Sequence, residues 1–184
     1  MYRCSGEIPT LVGSRVKLCA MEIEHASALY EVWSNPEVSH WLGAPALSSI
    51  EETKQLIELL TQMACEEESL RWSIVGPGDQ VIGSCGFNHW QLQGAYRGEI
   101  GCDLLQAYWG HGYMKEALSL VIDYGFESMG LNRIEGLCHP NNSRMIGLMN
   151  TLGFQKEGVL RQYRQTPYGF EDIALYALLR EEWR

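Results

Sequence analysis

A single domain of the α/β (α+β) class, mixing strands and helices, is predicted by three observations. Segments of alternating polarity, as half-buried strands require, are interleaved with segments whose apolar residues recur at helical spacing. Their order along the chain is strand, two helices, three strands, helix, strand, helix, two strands. No repeat, low-complexity tract or linker interrupts the 184 residues, and a 46% hydrophobic content is enough to bury one core. The domain is placed at residues 10–184, behind a short N-terminal extension at residues 1–9.

Each element follows from its residues. Arg15 to Met21 alternates Val16, Leu18 and Ala20 with Arg15, Lys17 and Cys19, a strand pattern. Glu24 to Trp33 gathers Ala26, Leu29, Tyr30 and Trp33 on one helical face, and Asn35-Pro36 ends it because proline disfavours helical geometry in the residue before it. Ser49-Ile50-Glu51-Glu52 is a capping box, and the stripe Leu56, Ile57, Leu60, Met63 and Ala64 makes a second helix ending near Cys65. Arg71 to Val75, Val81 to Trp90 and Gly98 to Leu105, separated by the Gly76–Gln80 turn and a polar loop, form an antiparallel meander. Tyr113 to Met129 is a helix closed by Gly130, and Arg133 to His139 is a strand. Asn142 or Ser143 caps a short helix that Gly153 terminates. Phe154 to Leu160 and Asp172 to Leu179 are the last strands, joined by a turn at Pro167-Tyr168-Gly169.

Composition excludes several classes of function. A formal charge of -9 argues against non-specific nucleic-acid binding, which needs surplus Lys and Arg, and suits a cationic substrate. Six cysteines without a C-x-x-C pair point to neither a zinc site nor a disulfide framework, and the five histidines show no metal-ligand spacing, so no metal is expected. No apolar run approaches the ~18 residues of a membrane span, and the first residues lack a signal-peptide core. A cytoplasmic protein with no membrane partner is the expectation.

The chemistry concentrates at Tyr108-Trp109-Gly110-His111-Gly112-Tyr113, where a strand runs through a Gly-x-Gly turn directly into a helix. Two glycines let the backbone approach an anion, and the first-turn N–H groups and the helix dipole favour negative charge. The turn lacks the Gly-Lys-Ser/Thr of a P-loop and the third small residue of a dinucleotide fingerprint.

Together with Glu99-Ile100-Gly101, Glu116-Ala117-Leu118, Leu131-Asn132-Arg133-Ile134-Glu135, Pro140-Asn141-Asn142, Leu152-Gly153-Phe154 and Glu157-Gly158, this stretch resembles the RimJ/RimL-type branch of the GNAT superfamily of acetyltransferases. The resemblance runs from about Leu11 to the end. It implies a GNAT-like fold whose mixed central sheet splays open in the middle, with helices on both faces and acetyl-CoA in the gap. It also implies that backbone groups around Leu104 and Gln106 pair with the pantetheine arm, that Gly110, His111, Gly112 and Tyr113 form the pyrophosphate turn, and that Asn142 bonds the arm from the other side. Ala107 and His111 depart from the Gln or Arg and the Lys or Arg common at those positions, so the cradle leans on backbone. Met149 and Met145 stand where members carry a Tyr or a Ser, and no proton donor carries over.

Only a neutral amine attacks a thioester, so a group that takes a proton from an ammonium is needed. Glu99 and Glu135, on neighbouring strands beside the expected acetyl site, are the candidates; the alternative for each is a strand carboxylate facing solvent or paired with Arg. Trp41, Trp90 and Tyr96 could border the acceptor, although ordinary core packing is the favoured role for any one of them. Three readings of function follow: acetylation of a protein N-terminal α-amine, as on ribosomal proteins; acetylation of a small amine such as an amino acid, polyamine or antibiotic; or a non-catalytic acyl-CoA-binding module. The first is favoured because an α-amine, with a pKa of about 7.7–8.0, needs little help to lose its proton. A homodimer is left open.

Overall fold

The computed structural model describes residues 7–166 and 169–183, and its strands pair into one eight-stranded sheet. In chain order these are β1 (Leu11–Val12), β2 (Lys17–Ala20), β3 (Leu70–Val75), β4 (Val81–Gln91), β5 (Arg97–Leu104), β6 (Arg133–Cys138), β7 (Gln155–Thr166) and β8 (Gly169–Leu179). The spatial order is β1-β2-β3-β4-β5-β6-β8-β7. Neighbours are antiparallel except β5 and β6, which are parallel.

That parallel pairing is short. It runs from Arg97 opposite Arg133 to Ile100 opposite Gly136 and stops. Beyond it, Gly101 to Leu104 pair with β4 alone and Leu137 and Cys138 with β8 alone, so the sheet opens between β5 and β6.

Five helices cover the sheet: α1 (Ala26–Trp33), α2 (Pro36–Leu42), α3 (Ile50–Cys65), α4 (Tyr113–Glu127) and α5 (Ser143–Thr151). Strand alternation sorts them onto two faces. On one face Trp72 of β3 meets Tyr124 of α4 with ring centroids 5.4 Å apart. On the other, Ser73 Oγ lies 3.0 Å from Nδ1 of His25, the residue preceding α1. The α4 side holds the larger core, in which Trp72, Phe87, Leu118, Ile122 and Phe126 are buried. A second cluster joins Leu29, Val32, Val38 and Ile57 of α1 to α3. No helix among the described residues is long and apolar enough to cross a membrane.

Three elements differ from the sequence expectation. Asn35-Pro36 ends α1 but also begins α2, because Pro36 occupies the first helical position, where a missing N–H costs nothing, and Asn35 Oδ1 accepts from the Glu37 N–H at 2.9 Å. The strand β1 is two residues long, too short for alternation to show. On β7, register shifts between Lys156 and Gly158 and between Leu160 and Arg164 break the period and hide the strand's second half. The expected Pro167-Tyr168-Gly169 turn has its first two residues outside the described ones, as does most of the N-terminal extension.

At α5 the two capping candidates resolve to Asn142, whose Oδ1 accepts from the Met145 N–H at 3.0 Å. The helix sits close on β6 because Gly136 leaves room for the buried Met149; a Cβ there would overlap the Met149 methyl group. Gly136→Ala is therefore expected to lower stability by about 1–3 kcal/mol, the usual cost of overpacking, read as a shifted urea midpoint at unchanged slope. An unshifted midpoint would show that α5 is not seated as described.

Candidate active site

Two hollows open where β5 and β6 part, and they share Trp41, Leu42, Cys102, Asp103, Asn142 and Met145 as common wall. The larger, of about 510 Å³, runs between the end of β5, the start of α4 and the length of α5. The smaller, of about 350 Å³, lies beneath α2 and the chain that follows it. They join at the splay.

In the larger lobe, Gly110 (φ +77°) and Gly112 (φ +83°) take left-handed conformations that side chains resist, and both line the wall. Gly112 is the N-cap of α4 and offers no side chain, so the first-turn N–H groups stay available to a ligand. Lys115 and Arg144 add positive charge, with the Arg144 guanidinium 4.6 Å from the centroid of the Trp109 ring. Arg15 braces the turn from behind, donating to the His111 carbonyl at 2.9 Å and to Glu116 Oε2 at 2.9 Å. A diphosphate fits this wall. None of Arg15, Lys115 and Arg144 belongs to the sequence motif; Lys115 and Arg144 lie close in sequence to the glycine turn and to Asn142, whereas Arg15 reaches His111 from 96 residues away and nothing local signals it.

The neighbouring edge of β5 is narrower than expected. The Leu105 N–H donates to the Ile82 carbonyl at 2.8 Å, so alternation turns the Leu104 N–H away from β4, toward the gap. The Leu104 carbonyl accepts from Trp109 Nε1 at 2.8 Å. Gln106 lies outside both hollows: it is exposed, and its carbonyl closes a 3₁₀ turn on the Trp109 N–H at 3.1 Å. The regular strand ends at Leu104. His111 also stays out of the wall, while Tyr113 and Asn142 are in it. Capping occupies Asn142 Oδ1 and leaves the amide N–H groups as what it can offer a ligand.

Glu99 lines the smaller lobe, and Glu135 lines neither. The two carboxylates are direct neighbours across the parallel pair, yet their partners differ. Glu135 receives Arg97 Nη1 at 2.9 Å and Arg133 Nε at 2.7 Å, and Arg133 continues to Glu157. The hydrogen bonds that Arg133 donates to both glutamates, Glu157 foremost, raise its pKa. Glu135 is thus a structural ion-pair member. Glu99 is held by a neutral amide instead: Asn88 Nδ2 donates to its Oε1 at 2.9 Å, and the His89 Nδ1 lies 3.8 Å from Oε2.

Behind Asn88 runs a chain across three strands. Asn88 Oδ1 accepts from Arg71 Nη1 at 2.9 Å, and Arg71 Nη2 donates to Asp103 Oδ2 at 2.9 Å. Ser84 supplies its N–H and hydroxyl to the same carboxylate, at 3.0 and 2.7 Å. Burial nevertheless pushes the Asp103 carboxyl above its ordinary pKa, outweighing Arg71 and Ser84. Gly101 permits the crossing, since a Cβ there would fall 2.5 Å from Asn88 Oδ1. In the sequence Arg71, Asn88 and Asp103 were unmarked, because residues from separate strands meet only through register.

At the junction, Met145 lines both lobes and Met149 is buried, so no hydroxyl stands at either position. Burial pushes the Cys102 thiol up to about 12 and raises Cys138 as well. Of the aromatic candidates, Trp41 belongs to both walls, whereas Trp90 packs on the core and Tyr96 is half exposed.

Comparison with known proteins agrees with this arrangement. Residues 15–155 match the acetyltransferase (GNAT) domain family. The uncharacterised N-acetyltransferase p20 of Bacillus licheniformis is 39% identical over 175 residues, covering 95% of this chain and 98% of that protein. The [ribosomal protein uS5]-alanine N-acetyltransferase of Escherichia coli is 30% identical over 105 residues, 56% of this chain and 54% of that one. Among solved structures, Mycobacterium smegmatis RimJ in complex with CoA-disulfide superposes with a TM-score of 0.87 over 96% of this chain and 90% of that chain; at 21% identity it attests the fold. The chain belongs to the GNAT family and is an N-acetyltransferase that uses acetyl-CoA as its cosubstrate.

Proposed function

We propose that the larger lobe holds acetyl-CoA, with the pyrophosphate on the Gly110–Gly112 turn, and that the smaller lobe presents an α-amine to it, with Glu99 taking the amine's proton. The observation that carries this reading is the position of Glu99, a carboxylate in the wall of the smaller lobe, oriented by Asn88 and free of an Arg or Lys partner among the described residues.

Acetyl-CoA supplies the acyl group as a thioester. Glu99 accepts a proton from the ammonium, directly or through one water; the freed nitrogen lone pair attacks the thioester carbonyl, and as the C–S bond breaks CoA departs as the thiolate, which takes up the second proton that the nitrogen loses on becoming an amide. First-turn N–H groups of α4, Lys115 and Arg144 bind the phosphates, the Leu104 N–H and the Asn142 amide align the arm, and Trp41 keeps water from the junction.

The acceptor favoured first is a protein N-terminal α-amine. An α-amine is about a tenth neutral at pH 7, whereas a lysine is neutral in fewer than about one molecule per thousand, so a single glutamate suffices for the former. The E. coli relative is named for the alanine of a ribosomal protein, which supports the same class. A free small α-amine is the second reading, favoured by the 350 Å³ of the smaller lobe and its cover of Trp41, Leu42, Ala44 and Pro45. Thiol release with N-terminally free peptides, their Nα-blocked forms and free amino acids separates the two.

Gly112→Val should weaken CoA binding sharply, because the left-handed backbone is lost and the side chain meets Arg15 Nη2, which lies 3.2 Å from the Cβ position. Unchanged affinity by calorimetry in a folded variant would move the cofactor site elsewhere. For Asn142 two roles are separable. Asn142→Ala should lower Tm by about 2–4 °C through loss of the cap and raise the KM for acetyl-CoA, whereas Asn142→Asp keeps a capping oxygen and should raise KM alone. A KM unchanged in both would reduce Asn142 to a cap. Glu99→Gln should lower kcat/KM by about ten- to a hundredfold at pH 7, the loss shrinking toward pH 9 as solvent deprotonates the amine. A pH-independent loss would indicate positioning and not proton transfer.

A further inference from the structure

Four charged side chains line the smaller lobe: Arg71, Glu99, Asp103 and Arg164. Arg71 and Asp103 neutralise each other at 2.9 Å, with their side chains 13% and 4% exposed. The other two form no ion pair with one another, and Arg164 has no Asp or Glu within 4.0 Å among the described residues. The lobe is left with one unneutralised charge of each sign.

Arg164 comes from β7 and reaches across to the end of α2. Its stem packs on Gly43, where a Cβ would stand 2.7 Å from Arg164 Cδ, and Nη1 approaches the Leu42 carbonyl at 3.5 Å, too long for a firm bond. Arg164 and Cys138 both line the hollow. Among the described residues most of the Arg164 donor fork is unused, and that fork matches a carboxylate.

Building on the assignment of the smaller lobe to the acceptor, we propose that Arg164 binds a carboxylate of the acceptor, so that the substrate is a zwitterion with its ammonium at Glu99 and its carboxylate at Arg164. The amide product keeps the carboxylate and loses the positive charge, which removes its attraction to Glu99 and favours release. Two sources supply such a group: the α-carboxylate of a free amino acid, or an acidic side chain just after a peptide's N-terminal residue. Arg164 lies beyond residues 15–155, the part of the chain that matches the family.

The test is thiol release from acetyl-CoA with two acceptor series: free amino acids against their amides, and Ala-Asp-amide against Ala-Asn-amide. In one series the acid should exceed its neutral partner in kcat/KM by roughly 10- to 100-fold, the worth of a charge-assisted hydrogen bond, and that series names the source. R164Q should abolish the preference, R164K should keep part of it, and CoA affinity by calorimetry should be unchanged in both. No preference in either series, or an R164Q loss shared equally by acid and amide, overturns the proposal. E99Q isolates the underlying assignment: if it lowers turnover while R164Q leaves the acid-to-amide ratio untouched, only the carboxylate site falls. If E99Q changes turnover of no acceptor, the acceptor lobe itself is wrong.

Discussion

The separation of β5 from β6 after Ile100 and Gly136 is the constraint on which the rest depends. Two strands can share a ladder only while they stay about 4.8 Å apart, and past that point each exposes an edge of backbone donors and acceptors. Elsewhere in a core such an edge would be destabilising; here it faces a hollow, where its donors and acceptors stay accessible to a ligand. The chain leaves each diverging strand into a helix, β5 into α4 and β6 into α5, so both helix N-termini converge on the opening. On the proposed placement of acetyl-CoA, the backbone of the glycine turn together with Lys115 and Arg144 would serve the phosphates although His111 replaces a fixed cation.

Charge is partitioned along the same opening. At the closed end, where β5 and β6 still pair, Glu135 is saturated by Arg97 and Arg133, and this keeps its repulsion of the neighbouring Glu99 small. Toward the open end the Arg71–Asp103 pair is withdrawn from solvent and works through Asn88 to hold Glu99 in one orientation without neutralising it. Removing either member of the pair would strand a charge in a place where burial already disfavours the Asp103 carboxylate.

Much of this was legible beforehand because it is local. The glycine turn, the Ser49 cap and the meander from β3 to β5 each rest on adjacent residues, and each appears in the structure. What escaped is what register creates. Arg71, Asn88 and Asp103 come together across three strands, and Arg164 reaches Leu42 from 122 residues away. Alternation is silent on β7, where the register shifts, and Asn35-Pro36 signals a helix end and a helix start with the same two residues. Glu99 and Glu135 are nearly level in the sequence, Glu99 slightly ahead because its strand should flank the thioester; in the structure their neighbours distinguish them.

The thiols at the junction bear on chemical selectivity. An active acyl donor placed beside a cysteine thiolate would acylate the protein in place of its substrate, since sulfur is the better nucleophile. Cys102 lines both hollows, but desolvation raises its thiol to about 12, so it stays protonated at neutral pH. On the proposed placement of acetyl-CoA, a protonated thiol packed against Met145 competes poorly with an amine, and the acyl group goes to nitrogen.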